Sequence, residues 1–359
     1  VAALAAIMRD ERSSEAGLKF LVLSGISSAV LLYGMVFVYG YTGTTDVDGI
    51  LREIGRIGAA EGQPFGSYAV LFGVVAMVAG FGFKMAVVPF HMWVPDVYEG
   101  APTPVTAYLS VASKAAGFAV VMRVLYSAFG SAGLTQEWSG MLAVMAAASM
   151  LLGNLLALWQ RNIKRMLAYS TVAHAGYILG GLAAVMANAG SGSPLAGPES
   201  VLFYLVAYAA TNLAAFLAVI AITNRTGSDL IGSFAGMGRR APVPALFLAL
   251  GLVSLLGMPP TAGFMAKVFV FSAAVNSGLL WLAVVGAVNT AISAFYYLRV
   301  IRVMYLDEPE AEGRLSADPV LTAVTGVAVI GVGVFGFGPW LLMRLVEQAV
   351  RVLPSLAGA

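Results

Sequence analysis

Four side chains able to carry a proton, Lys84, Lys114, His174 and Lys267, lie inside otherwise apolar stretches of this sequence. Their settings are FGFKMAVVPF, SVASKAAGFAVVMR, AYSTVAHAGYIL and GFMAKVFVF, in which alanine, glycine, valine and phenylalanine dominate. An ionised lysine in hydrocarbon costs on the order of 3 kcal/mol even on permissive insertion scales, so three of them demand hydration, a paired charge or a function. The chemistry on offer is proton transfer. Burial disfavours an ammonium ion, so a buried lysine can gain or lose its proton when a neighbouring charge changes. Snorkelling competes with this reading at Lys84, whose stem lies near the interruption at Pro89. It is harder from Lys114 and Lys267, which sit near the centres of their stretches. His174 carries two readings, a packed and hydrogen-bonded imidazole or a further relay member.

Other chemistries are excluded by what the chain lacks. It has no cysteine and only two histidines, His91 and His174, in separate segments. Thiolate-ligated iron–sulfur clusters, disulfides and a pair of axial haem ligands are therefore not expected, and no metal or cofactor site is assigned. No aspartate or glutamate falls within a full apolar span. A carboxylate partner for the lysines must come from outside this sequence. Asp96 and Glu99 lie in the Pro-rich stretch HMWVPDVYEGAPTP, where turn formation or capping is the expected role.

The elements that must position these groups follow from composition. Of 359 residues, 60% are hydrophobic and 11% charged, and the mean hydropathy is +0.87. Such a chain belongs in a bilayer as an all-α, polytopic bundle. Apolar runs of about 20 residues, enough to cross roughly 30 Å of hydrocarbon, recur at 20–41, 66–90, 103–127, 139–159, 166–187, 200–223, 281–303 and 320–343. A longer element covers 242–278, and VAALAAIM at 1–8 reads as the end of a further helix. The whole of 1–359 is read as one transmembrane domain. A mixed-charge loop at 42–65, a Gly/Ser/Pro linker at 189–198 and an acidic loop at 307–318 connect spans. The net charge of +2 is scattered, which gives no basic face for nucleic acid.

Basic residues fall on one side of these spans. Arg9, Arg12 and Lys19, then Arg161, Lys164 and Arg165, then Arg225, Arg239 and Arg240, then Arg299 and Arg302 are separated by even numbers of crossings, as the positive-inside rule requires. Arg52 and Arg56 are the exception, among acids. Trp93, Trp138, Trp159, Trp281 and Trp340 lie near span ends, where an interfacial belt is expected. Gly66, Gly73 and Gly80 make a seven-residue stripe for close helix contact. Ser110, Ser113, Asn154, Thr211, Asn212 and Asn289 are candidates for hydrogen bonds across helices or for holding water.

Parity demands that 242–278 cross once, yet as one helix it would be about 55 Å long. Gly257-Met258-Pro259-Pro260 divides it, because paired prolines remove donors and clash with the preceding turn. Pro89 and Pro95 interrupt 66–100 in the same way. Two discontinuous helices with ionisable groups beside the breaks are the pattern of transporters built from inverted repeats.

The stretches FGFKMAVVPFHMWVPDVYEGAPTPVTAYLSVASKAAGFAVVMR, QRNIKRMLAYSTVAHAGYIL and GLVSLLGMPPTAGFMAKVFVF resemble subunit N of proton-translocating NADH–quinone oxidoreductase, respiratory complex I. The resemblance runs from RDERSSEAGLKF to about residue 305. It implies an antiporter-like fold with two inverted five-helix repeats, and a membrane-arm subunit that translocates protons while quinone is reduced elsewhere. Lys84, Lys114 and Lys267 match the family's lysines on its seventh, eighth and twelfth helices. Its glutamate on the fifth helix would precede Val1. NAD, FMN, iron–sulfur clusters and quinone are expected in partner subunits, and the bacterial inner membrane is the expected location. The rival reading is a subunit of a multisubunit cation/proton antiporter.

Overall fold

The computed structural model describes residues 1–8, 10–61, 68–185, 196–309, 313, 315–316 and 318–351. Arg9, Gly66, most of the 189–198 linker and part of the 307–318 loop lie outside the described residues. The architecture is all-α. Among the described residues the only strand-like feature is an isolated bridge between Asn162 and Leu230.

In chain order the main helices are α1 (Ala2–Ala5), α2 (Glu11–Thr42), α3 (Val47–Glu61), α4 (Tyr68–Met85), α5 (Trp93–Gly100), α6 (Thr103–Ala128), α7 (Ala132–Leu158) and α8 (Ile163–Ala183). They continue as α9 (Ala196–Thr226), α10 (Pro242–Leu256), α11 (Ala262–Asn276), α12 (Leu280–Leu306), α13 (Pro319–Phe337) and α14 (Pro339–Val350). Among the described residues seven helices, α2, α4, α6, α7, α9, α12 and α13, are long and apolar enough to cross a membrane. Their ends are set locally. Asp10 accepts from the Ser13 amide at 2.6 Å to start α2, and Asn162 accepts from the amides of Lys164 and Arg165 to start α8. These are side-chain caps for donors that a helix leaves unpaired.

The most informative helix is α8. All of its residues except Arg165 and Tyr169 are buried, yet it carries Ser170, Thr171, His174 and Tyr177 and is not among the seven most apolar spans. A polar helix enclosed on every side can persist only if its neighbours satisfy it. The least buried apolar spans are instead α2 and α13, where 11% and 17% of the most apolar window is buried.

Both expected breaks are present, each with its backbone answered by protein. The first comes earlier than Pro89: α4 ends at Met85, and Ala86 takes a left-handed φ of 60°. Beyond it, the Val88 amide donates to Ser149 Oγ on α7 at 2.9 Å. In the second, Gly257 ends α10 with φ 86°, and the Gly263 amide of α11 donates to Ser254 Oγ at 3.2 Å. Irregular backbone at membrane depth is tolerated where protein satisfies it in this way.

Several expectations need correction. The 42–65 stretch is not only a loop, because α3 occupies most of it. Ile50, Ile54 and Ile57 recur at helical spacing and Ile54 is buried, while Arg52 and Arg56 stay exposed. The charges hid an amphipathic helix. The 91–104 turn contains α5, and Asp96 and Glu99 form ion pairs on it instead of merely shaping a turn. The 320–343 span ends at Phe337, and Gly338-Pro339 starts a separate helix. Two tryptophans are not in a belt: Trp93 and Trp138 are 3% and 1% exposed and donate to the carbonyls of Phe83 and Phe129. Trp159, Trp281 and Trp340 are exposed, as an interfacial role requires. Gly73 and Gly80 do admit α2 closely, since a Cβ on Gly80 would lie 2.9 Å from Leu31 Cα.

Candidate functional site

Lys114 is 2% exposed and sits directly after a π-helical turn, Leu109–Ser113, inside α6. A π turn adds a residue to the helical ladder and re-aims the side chains that follow, a device common at functional sites. Here the Lys114 ammonium donates to the Thr171 carbonyl of α8 at 2.5 Å and stands 5.5 Å above the Tyr208 ring of α9. The Tyr208 hydroxyl shares a 2.9 Å hydrogen bond with Thr171 Oγ1. Three helices thus meet at one lysine.

Lys267 on α11 is 4% exposed and reaches back across the second break. Its ammonium donates to the Leu256 carbonyl at 2.7 Å and to the Leu255 carbonyl at 3.3 Å, the free acceptors at the end of α10. Those carbonyls are the negative end of the half-helix dipole, so they can hold a cation in place of a carboxylate. The Tyr177 ring faces the same ammonium at 4.8 Å, a cation–π contact that a desolvated site strengthens. Gly257 makes this seat possible twice over. Its φ is in the left-handed region, and a Cβ there would lie 2.9 Å from Lys267 Cδ.

His174 bridges the two seats. Its Nδ1 is 2.8 Å from the Tyr204 hydroxyl and its Nε2 is 3.3 Å from the Tyr297 hydroxyl of α12. Its ring lies 5.1 Å from the ring of Tyr208, on the Lys114 side, and 5.8 Å from that of Tyr177, on the Lys267 side. A phenol both donates and accepts, so either tautomer of the imidazole finds partners at both nitrogens. Tyr297 is also hydrogen-bonded to Ser170, and the neighbouring Tyr296 donates to Asn154 Oδ1 at 2.9 Å. Asn154 in turn reaches Asn289, Asn212 donates to Ser110, and Thr211 pairs with Ser254. Five of the polar residues singled out in the sequence therefore bond across helices.

Among the described residues, the partners of both buried ammonium groups are carbonyls and aromatic faces, with no carboxylate. No group of three or more metal-ligating side chains occurs among them either. Lys84 stands apart. It is exposed and makes no hydrogen bond or ion pair among the described residues, although its Cβ lies 3.3 Å from where a Cβ on Gly117 would be. The structure brings Lys114, His174 and Lys267 together, and Lys84 packs its Cβ against the helix of Lys114 while the residue is exposed.

Sequence reasoning missed the tyrosines. Tyr204 and Tyr208 at i, i+4 on α9 and the Tyr296-Tyr297 pair on α12 were the available signal, since phenols repeated on one face of a membrane helix are costly unless bonded. It missed Lys164 as well, which is 5% exposed and paired with Asp229 at 3.1 Å. Asp96, outside the spans, is opposed by burial but held below the usual carboxylate range by Lys19 and Arg165.

Residues 2–293 match the family described as NADH:quinone oxidoreductase/Mrp antiporter, TM. NADH-quinone oxidoreductase subunit N of Dehalococcoides mccartyi is 48% identical over 353 residues, covering 98% of this chain and 72% of that protein. A chain of the membrane-bound sulfane sulfur reductase, an archaeal respiratory membrane complex, superimposes with a TM-score of 0.87 at 26% identity, over 99% of this chain and 69% of that one. A chain of respiratory complex I from Thermus thermophilus gives a TM-score of 0.78 at 31% identity, over 96% and 71%.

Proposed function

The chain belongs to the subunit N family of NADH–quinone oxidoreductases, and from that premise we propose that it moves protons along the axis Lys114–His174–Lys267. In this reading it is a multi-pass subunit of the bacterial inner membrane, driven electrostatically by quinone chemistry in neighbouring membrane subunits. It carries no redox centre of its own; NAD, FMN, iron–sulfur clusters and quinone belong to its partners.

One observation carries the reading. Two buried lysines, without carboxylate partners among the described residues, flank an imidazole whose two nitrogens are both held by phenols. A protonated lysine in such a seat is poised, because its charge is balanced only by dipoles and ring faces and responds strongly to any charge that appears nearby. A proton leaving Lys114 reduces the repulsion felt at His174 and at Lys267, and a proton arriving at either raises it. The imidazole can accept at one nitrogen and release from the other. The rings of Tyr208 and Tyr177 pack directly against the imidazole, one from the side of each lysine.

A cation/proton antiporter subunit would share the fold and the lysines, and 48% identity to a subunit N favours the oxidoreductase. The test is Lys114→Ala in the intact complex in membrane vesicles. Proton uptake coupled to NADH oxidation should fall by about 10-fold or more, while NADH oxidation by a water-soluble acceptor, which bypasses the membrane, should persist. Unchanged coupled proton uptake would remove Lys114 from the path.

A further inference from the structure

Charge ties α5 to the N-terminal end of α8. One guanidinium nitrogen of Arg165, Nη1, donates to Asp96 Oδ1 at 2.8 Å and to Glu99 Oε2 at 2.9 Å. Asp96 and Glu99 are three residues apart on α5 and so share a face. The other oxygen of Asp96 accepts from Lys19 on α2 at 2.6 Å, and Lys19 also pairs with Glu15. Arg12 joins these acids and Arg165 around a cavity of about 180 Å³. One residue earlier on α8, Lys164 donates to the Ala101 carbonyl at 3.0 Å, just beyond the end of α5. Two consecutive side chains of α8 therefore grip α5 along its face and at its end.

The opposite face of α5 points at the lysine seat. Tyr98 is fully buried, packs on Phe216 of α9 with ring centroids 6.4 Å apart, and lies within reach of the Thr171 hydroxyl. Thr171 follows Arg165 by six residues on α8, about 9 Å along the axis, and its carbonyl is the acceptor for Lys114. The Arg165 side chain is 31% exposed, Asp96 32% and Glu99 22%. Ion pairs that wet contribute little to stability, so their worth here is geometric.

We propose that Arg165 is a positioning residue of the proton path: by bridging Asp96 and Glu99 it holds α5 and α8 in the register that sets Thr171 and Tyr98 against Lys114. This rests on Lys114 being a member of the relay. The groups that face Arg165 are Asp96 and Glu99 from α5; Arg12 and Glu15 from α2 line the same cavity, and Lys19 of α2 pairs with Glu15 and Asp96.

The experiment uses the whole complex in native membrane vesicles and compares Arg165→Gln, Arg165→Lys, Glu99→Gln and Lys114→Ala. The readout is the pH profile of coupled quinone reduction, normalised to assembled complex. Arg165→Gln should slow turnover about 3- to 10-fold and move the profile by about half a pH unit or more. Arg165→Lys, whose ammonium can still bridge both carboxylates, should restore most of the rate and the profile. Glu99→Gln, which keeps the pair to Asp96, should show a smaller move in the same direction, and it serves alone if Arg165→Gln does not assemble. An unmoved profile in Arg165→Gln or, failing its assembly, in Glu99→Gln would overturn the proposal and leave the cluster a structural tie. If Lys114→Ala is itself silent, the relay reading fails first; if only the Arg165 and Glu99 variants are silent, the relay stands and the clasp does not.

Discussion

The two broken elements put a lysine beside irregular backbone in opposite ways. Lys84 sits in the last turn of α4, before its break, and is exposed; Lys267 follows its break and folds back onto the carbonyl ends of α10. The first break is closed by Ala86 in a left-handed conformation and by Ser149 from α7, the second by Gly257 and Ser254. A break therefore does not make an ion seat by itself. What matters is whether the freed carbonyls face a cation that protein also encloses, as they do at Lys267.

The largest expected effect comes from exchanging the two turn residues. Gly257→Ala places a methyl group against the Lys267 stem at a φ that disfavours any Cβ, so coupled proton uptake per assembled complex should fall about 10-fold. Ala86→Gly relieves the same kind of strain at the first break and should leave uptake unchanged. Equal effects at both glycine-type positions would erase the difference between the breaks.

Next come the phenols. Tyr204→Phe removes the partner of His174 Nδ1, and Tyr297→Phe removes that of Nε2 together with the Ser170 contact. Each should slow coupled turnover about 3- to 10-fold, because a buried imidazole nitrogen is left unpaired. Wild-type rates in both variants would show His174 to be a packed residue only.

A stability contrast is expected to be smaller. Lys267→Met removes a buried ammonium held only by carbonyls and a ring face, and should stabilise the chain in detergent by about 1 kcal/mol or more while abolishing its role in transfer. Lys84→Met, at an exposed position, should shift stability by less than about 0.5 kcal/mol. Thermal unfolding of the two variants checks the order, and destabilisation by Lys267→Met would mean that its seat is better compensated than carbonyls and a ring allow.

The smallest effect concerns pH at the α5 clasp. Because the Asp96 carboxyl is held below its usual range, its contribution is complete above the unfolded value near 4 and is lost only as pH falls through the lower folded value. Amide exchange of α5 should be unaffected by clasp titration between about pH 6 and 8. A titration of α5 protection in that window would contradict the ion-paired state.

Much of this was legible in the sequence, for reasons that differ by residue. Lys114 and Lys267 announced themselves because a cation amid alanine and phenylalanine is costly whatever the fold. Pro259-Pro260 gave the second break its place, since no helix continues through paired prolines. The first break lay four residues before Pro89, because Ala86 carries no signature for positive φ. The amphipathic α3 was hidden by its charges, and Trp93 and Trp138 by the expectation that tryptophan near a span end faces lipid. The tyrosine shell left only a trace, the spacing of Tyr204 and Tyr208 and the Tyr296-Tyr297 pair, and the Lys164 and Arg165 grips left none. They depend on which helices become neighbours, as when Tyr208 of α9 and Thr171 of α8 meet over a lysine from α6.

The account turns on Lys267, whose seat combines the break, the carbonyls and the tyrosine ring. Proton uptake into vesicles per NADH oxidised, together with its rate, should be measured for Lys267→Ala, Lys267→Arg and Lys267→Met in the intact complex. All three should fail, the arginine because its guanidinium stays protonated at any physiological pH and the methionine because packing without a titratable group moves no proton. An unchanged ratio and rate in all three would show that Lys267 is a tolerated structural charge.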